Sequence, residues 1–600
     1  MNVIQVTRFG GPEVLELRQA PEPQAGPGQV LIGVSVVDVM SLDAQLRTGW
    51  GREWFPNEPP FVPGTGVAGR VLSVGEGVDP GWAGRRVAAF LPGGGGYAEQ
   101  VVTGVETVVE VPGEVPLWRA ASLIQVGPAA LSLVEAAELK AGSRVLVTGA
   151  GGALGLPIVR LASAAGAHVT AAAHGAAKRQ AALDMGAAEA VDYAELGGRF
   201  DVVFDGVGGE VGGAAYELVE PGGTFFAYGV PSGATAQIKP GAARVVGMEQ
   251  VQFAPDEFRR LARRVMEEDR LATVVGLAVP LERAGEAHAA LDRRELVGKA
   301  LLLVTAQAAR YRANGGPEVL TLDEIPLPQP GPGQVRVAVR AAGVNPIDWK
   351  LRRGGPRGTA DGSPQGTGLE LAGTIDAIGP GVTGWRLGQP VYGQVPPGAA
   401  ATHAIAEAAA LTPKPDGLTY EEAAALPVAV ETATRALLEL DLQPGQTLLI
   451  HAVAGGVGLA AAQLAIARGA RVVGTASERH HPYLRDLGVH PVTYGDGLEE
   501  RLEGPVDRVL DASGRGELEL SVRLTGDPAK VLSIADPVNA EKFGVRFSHG
   551  GAKGPVPPHD VRIPVAEVFP LERIADAHRR SEEGHLLGKI VVNTEATLPR

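Results

Sequence analysis

Two stretches of small residues could cradle a phosphate. Gly149, Gly152, Ala153, Leu154 and Gly155 follow a strand-like run at 144–148 and open a helix-like run at 153–165. Ala452, Gly455, Gly456, Val457 and Gly458 occupy the same context further along. Small residues let the backbone turn sharply and approach a pyrophosphate, whose charge the helix N-terminus stabilises. One such turn is a weak signal, and two in the strand–turn–helix setting are a strong one. The competing reading is an ordinary glycine-rich β–α turn. An acid at the tip of the next strand, roughly 20 residues on, would bind a ribose hydroxyl. The aligned tips here are Ala173 and Ala476. His174, Lys178 and Arg179 near the first tip, and Ser477 and Arg479 near the second, suit a 2′-phosphate instead. Glu478 counts against this at the second tip, and a solvated helix face is the alternative for Lys178 and Arg179.

The elements that must position these residues come in duplicate. GGPEVL stands at 10–15 and 315–320, and GPGQV at 26–30 and 331–335, both at an offset of 305. The glycine turns repeat at 303, and Gly298-Lys299 recurs as Gly588-Lys589. A period near 300 is a duplicated enzyme-sized unit rather than a solenoid. Each copy begins with alternating runs broken by Gly and Pro, which predict an irregular, barrel-like β domain. Alternating strand and helix patterns follow and predict a parallel, doubly wound sheet. A helix and a final strand close each copy. The expected layout is an α/β chain of two tandem copies. The β domains span 1–120 (with 260–304 returning) and 311–427 (with 555–600 returning). The parallel-sheet domains span 121–259 and 428–554, and 305–310 is a short linker. So short a linker predicts an intramolecular pseudo-dimer.

Composition narrows the function. The 600 residues suffice for about three to six domains. A net charge of −14 disfavours general nucleic-acid binding. Cysteine is absent, which removes thiolate nucleophiles, disulfides and Cys-ligated zinc, and fits a reducing, cytoplasmic setting. Neither a signal peptide nor a membrane span is expected. The Arg, Ala and Gly bias is what a GC-rich bacterial gene gives.

The chain resembles the zinc-independent, quinone-oxidoreductase and enoyl-reductase branch of the medium-chain dehydrogenase/reductase superfamily. The second copy carries AAGVNPIDWKLRRG at 341–354, LQPGQTLLIHAVAGGVGLAAAQLA at 442–465 and FPLERIADAHRRSEEGHLLGKIVV at 569–592. The first carries PPFVPGTGVAGRVLSVGEGV at 59–78 and GGYAEQVV at 95–102. The resemblance implies a GroES-like β domain plus a Rossmann domain in each copy, NADPH as cofactor, no metal, and a small-molecule quinone or α,β-unsaturated carbonyl as substrate. It places Asn345 and Thr432 beside the nicotinamide, Tyr193 and Tyr494 at the 2′-phosphate, and Lys299 and Lys589 near the cofactor. Lys350 is either a proton donor or a surface lysine beside Trp349. The first copy departs from the pattern, with Met40, Gln45 and Ala129 at the positions of Asn345, Lys350 and Thr432. In the second copy the PGxxxAG stretch is changed to SPQGTGLELAG at 363–373. His451 reads as a packing residue and His480-His481 as surface loop.

These features predict hydride transfer from NADPH to a quinone or enoyl acceptor, with the second copy as the active half and bacterial secondary metabolism as one setting. The alternative is a non-redox cyclase or dehydratase on a reductase scaffold, with one copy a supporting pseudoenzyme.

Overall fold

A computed structural model describes residues 1–594 except 230–233, 239–240, 242, 356–359 and 551–559. The chain divides into two compact units, Met1–Thr305 and Ala306–Thr597.

In the first unit, apolar runs such as Val145–Val147 and Val202–Phe204 are buried on both faces, as strands of a helix-covered parallel sheet must be. Six strands lie in the order Glu189–Val191, His168–Ala172, Arg144–Thr148, Phe200–Asp205, Val219–Ala227 and Arg244–Val246. All of their ladders are parallel. In chain order this is 3-2-1-4-5-6, a doubly wound sheet with its switch point beside Arg144–Thr148. The second unit repeats the order with His490–Val492, Arg471–Thr475, Thr447–His451, Arg508–Asp511, Val531–Ser533 and Arg546–Phe547.

Each unit also holds a seven-stranded sheet built on one long strand, Gln29–Val39 or Gln334–Val344. The closing strand of each copy returns to it: Lys299–Leu303 pairs antiparallel with Gln29–Val39, and Lys589–Asn593 with Gln334–Val344. Just before its lysine, the closing segment also touches the glycine turn. Gly298 N–H donates to Gly151 O at 2.9 Å and Gly588 N–H to Ala454 O at 2.8 Å. The two sheets of each copy are thereby pinned together at the turn.

One core fills the β domain of the first copy, with Val30, Ile32, Val67 and Val87 fully buried. Another lies around the parallel sheet and its helices, with Val145, Leu156, Ile158 and Phe204. Each such side chain contributes about 1.5–3 kcal/mol. Residues 305–310 do not form a free linker. They belong to the strand Thr305–Tyr311, which pairs with Thr321–Pro326 and Gln365–Gly366. Burial along this strand largely alternates, as a half-covered strand requires. The expected boundary at 554/555 lies outside the described residues. Among the described residues, no single helix is long and apolar enough to cross a membrane.

Candidate active site

Both glycine turns are shaped by close backbone approach. A Cβ on Gly155 would stand 2.3 Å from Gly149 O, and one on Gly458 would stand 2.5 Å from Ala452 O. Any side chain there would force the turn open. The turns lead into the helices Gly155–Ala164 and Gly456–Ala467. A narrow turn at a helix N-terminus fits a dinucleotide pyrophosphate. In the second copy the turn starts from Ala452, held at φ +58°, where the first copy has Gly149 at +65°.

In the second copy three side chains converge where the two sheets meet. Asn345 follows Gln334–Val344 and precedes the helix Pro346–Arg352. Its Nδ2 donates to Glu370 Oε1 at 2.7 Å, and Lys589 Nζ donates to its Oδ1 at 2.7 Å. Lys589 also forms an ion pair with Glu370 Oε1. The free oxygen of that carboxylate, Oε2, accepts from Val428 N–H at 2.7 Å. All three residues are buried. The Lys589 stem passes over Gly456, where a Cβ would meet Lys589 Cγ at 2.7 Å. The buried charge pair therefore sits between the glycine turn and the start of the helix Pro427–Glu439. Close by, Asn345 N–H donates to Asp348 Oδ2 at 2.8 Å. Burial pushes the Asp348 carboxyl up to about 7, against the pull of that amide hydrogen bond.

Two of the expected residues stand apart from this cluster. Lys350 Nζ donates to Ala535 O at 3.4 Å, beyond the strand Val531–Ser533, and lies 5.8 Å from the Trp349 ring centroid. Thr432 lies one helical turn beyond Val428, with its hydroxyl 3.4 Å from Glu431 Oε2. His451 is fully buried, with Nε2 3.0 Å from Ser521 Oγ, and burial lowers its pKa. It is a packing residue. His481 opens a helix and is buried rather than lying on a surface loop.

The first copy keeps the lysine and moves the acid. Lys299 Nζ lies 2.6 Å from Asp38 Oδ1 and 2.8 Å from Oδ2, both side chains being fully buried. Asp38 stands on the long strand opposite Gly66. In the second copy the strand position opposite Glu370 is Gly343, where a Cβ would meet Glu370 Oε1 at 2.2 Å. The carboxylate has changed strands, and the glycine facing it has changed with it. Gln125 Nε2 donates to Asp38 Oδ2 at 3.0 Å, filling the space that Glu370 takes in the second copy. Where Asn345 Oδ1 accepts from Lys589 in the second copy, Lys299 Nζ lies 3.0 Å from Met40 Sδ. Burial raises the Asp38 pKa, and the charge of Lys299 works against the rise. Around this pair lies a closed network. Asp43 accepts from Met40 N–H at 2.9 Å and Gly64 N–H at 3.1 Å, and Tyr97 Oη lies 2.9 Å from His288 Nε2. Burial pushes Asp43 up to about 7 and His288 down to about 3.

The residues expected at a 2′-phosphate are arranged differently in the two copies. In the first, His174 Nδ1 and Arg179 Nη1 stand 3.3 and 2.9 Å from Asp192 Oδ2. Lys178 Nζ donates to Arg294 O at 2.7 Å, and burial lowers its pKa. Tyr193 Oη accepts from Gly149 N–H at 3.2 Å. In the second, Ser477 Oγ and Tyr494 Oη lie 3.3 Å apart, and Arg479 Nη2 donates to His585 O.

Glu370 escaped the sequence reading, although a signal existed. The Gly-Thr-Gly of 64–66 recurs at 366–368 and sets a false frame. The Ala-Gly that follows, 68–69 and 372–373, gives the correct one and aligns Glu370 with Gly66.

Family models agree with this architecture. The model of the alcohol dehydrogenase GroES-like domain matches residues 26–113 and again 331–416. Models of the zinc-binding dehydrogenase match 153–262 and 558–592. A quinone oxidoreductase of Pseudomonas aeruginosa is 42% identical over 261 residues, covering 41% of this chain and 79% of the relative. The chloroplastic NADPH-dependent alkenal/one oxidoreductase of Arabidopsis thaliana is 31% identical over 302 residues, covering 47% and 78%. The pikromycin polyketide synthase component PikAII of Streptomyces venezuelae is 32% identical over 304 residues, 45% of this chain, which spans only 8% of that protein. Among solved structures, an Escherichia coli quinone oxidoreductase complexed with NADPH aligns with a TM-score of 0.47 at 23% identity, covering 50% of this chain and all of that one. The chain belongs to the medium-chain dehydrogenase/reductase family, with the GroES-like domain present twice. Within it, the relatives named above include quinone and alkenal/one oxidoreductases, each matching about one copy.

Proposed function

We propose that this chain is a zinc-independent reductase of quinones or α,β-unsaturated carbonyls that uses NADPH, with the second copy as the working half. The observation that carries this reading is the buried Asn345–Glu370–Lys589 cluster, pinned to the glycine turn through Gly588 N–H and Ala454 O. Backbone amides at the start of the helix Gly456–Ala467 hold the pyrophosphate. Lys589 brings a positive charge next to the cradle, and Glu370 and Asn345 fix where that charge sits. The bound cofactor supplies the hydride, and the acceptor takes up that hydride and one proton. To Lys350, whose Nζ donates to Ala535 O, and to Thr432 we assign delivery of the proton or binding of the developing oxyanion. The small-molecule substrate lies between the β domain and the parallel sheet of this copy. The polyketide synthase relative makes an enoyl substrate in bacterial secondary metabolism one candidate.

Met40 and Ala129 support a different job for the first copy. With a thioether beside Lys299 and no hydroxyl at the position of Thr432, it has a cofactor cradle without the polar groups for turnover. We read it as a supporting half. The test is NADPH oxidation with an enone or a quinone as acceptor. Asn345→Ala abolishes turnover while the fold persists, and full activity in that variant refutes the assignment. Product formed from a candidate substrate without NADPH would favour the cyclase or dehydratase reading instead.

A further inference from the structure

The two copies differ in two separate ways at the tip of the second parallel strand. The first difference is charge. Val191 pairs with Ala172 at one tip and Val492 with Thr475 at the other, so the residues that follow, Asp192 and Thr493, are equivalent. Asp192 Oδ2 already forms an ion pair with Arg179 at 2.9 Å and lies 3.3 Å from His174 Nδ1, while Lys178 donates to Arg294 O. In the second copy Arg479 donates to His585 O and His480 Nε2, and among the described residues it forms no ion pair with a carboxylate.

The second difference is where the tyrosine goes. In the second copy the first amide of the glycine turn, Ala452 N–H, donates to Thr475 Oγ1 at 3.1 Å. The first copy has Ala172 in place of Thr475, and there Gly149 N–H donates to Tyr193 Oη. Thr475 thus releases Tyr494 from the turn, and its hydroxyl stands beside Ser477 Oγ at the strand tip. One tip offers an arginine and two hydroxyls, with the exposed Glu478 between Ser477 and Arg479. The other offers a carboxylate that already pairs with Arg179.

Resting on the reading that both glycine turns receive a dinucleotide, we infer that the copies divide two cofactor classes. The second copy takes a dinucleotide bearing a 2′-phosphate, and the first takes one with a free 2′-hydroxyl, with Asp192 as the specificity-determining residue. A carboxylate accepts hydrogen bonds from ribose hydroxyls and repels a phosphate dianion placed beside it. One chain then holds an unphosphorylated nicotinamide dinucleotide in its first copy and an NADPH-consuming site in its second.

The test is calorimetric titration of the full chain with NADPH, then of the NADPH-saturated chain with NADH. One NADPH per chain is expected, with NADH filling one further site. Asp192→Thr brings NADPH binding to two per chain, and NADPH affinity at the first copy rises by about tenfold or more. Asp192→Asn, which keeps a side-chain acceptor at this position, moves the same way if Asp192→Thr fails to fold. Thr493→Asp weakens NADPH at the second copy by a similar factor. Two equivalent NADPH sites in the unaltered chain overturn the inference, as does one NADPH with no NADH, and both results leave the reductase reading standing. An unchanged NADPH stoichiometry in folded Asp192→Thr and Asp192→Asn overturns it as well. No binding of either dinucleotide overturns the inference and the reductase reading together.

Discussion

Asp38 in the first copy and Glu370 in the second reach equivalent lysines from opposite strands of the same antiparallel pair. A one-carbon difference in side-chain length accompanies the change of strand, and a glycine stands opposite in each case. Both copies therefore keep a neutral buried pair, which fits the high cost of leaving either charge alone.

This exchange can be tested for stability. Asp38→Gly strands Lys299 and destabilises the first copy by about 3–5 kcal/mol. Adding Gly66→Glu restores most of the loss by rebuilding the arrangement of the second copy. A Cβ on Gly66 meets the movable Gln125 Nε2 at 2.6 Å and Asp38 Cβ at 3.1 Å, the latter gone in the double variant, and Ile124 Cγ2 at 3.2 Å must give by a few tenths of an ångström. Thermal melts of the single and double variants decide it, and equal midpoints refute the equivalence.

A second prediction concerns pH. Asp348 has a folded pKa raised to about 7 from 3.8. The unfolded chain ionises first, so its contribution favours folding at low pH and is lost as pH rises from about 4 to about 7. His288 and His578, both lowered by burial to about 3, act oppositely, since the unfolded chain takes up their protons first as pH falls below about 6.5. The profile of the unaltered chain mixes these effects, and the difference made by Asp348→Asn isolates one of them. That variant gains stability over the parent chain between about pH 5 and pH 8, by up to about 3 kcal/mol. Urea melts at the two pH values measure it, and a pH-independent difference rules the account out.

A third prediction separates the two cradles. Gly155→Ala and Gly458→Ala each drive a methyl group into a backbone carbonyl, at 2.3 and 2.5 Å. Each substitution removes one bound dinucleotide per chain and leaves the other site intact. Gly458→Ala abolishes turnover, and Gly155→Ala spares it. Turnover lost equally in both variants means that the copies do not divide the work.

Much of the fold was legible because its signals are local. The strand at 144–148 begins and ends as expected, since a run of apolar residues meets a glycine turn there. The site was legible only in part. Asn345 and Lys589 could be named, but Glu370 meets Lys589 across 219 residues of chain, and no periodicity records such a contact. The repeated Gly-Thr-Gly sets a frame two residues out of step, which keeps each side chain on its face but sets Gly66 against Gly368 instead of Glu370. The segment at 305–310 was read as a linker because it joins the copies, yet its polar residues alternate with buried Ala306, Ala308 and Ala309 closely enough to make a strand.

The hydrogen bonds from Gly298 to Gly151 and from Gly588 to Ala454 also set an order of assembly. During synthesis the first parallel strands of a copy leave the ribosome long before its closing Gly-Lys does, so each nascent cradle waits open at one edge. Domains tend to fold as units as they emerge. The first copy can thus latch its glycine turn while the second is still being made, so that a chain under synthesis holds one closed turn and one still open.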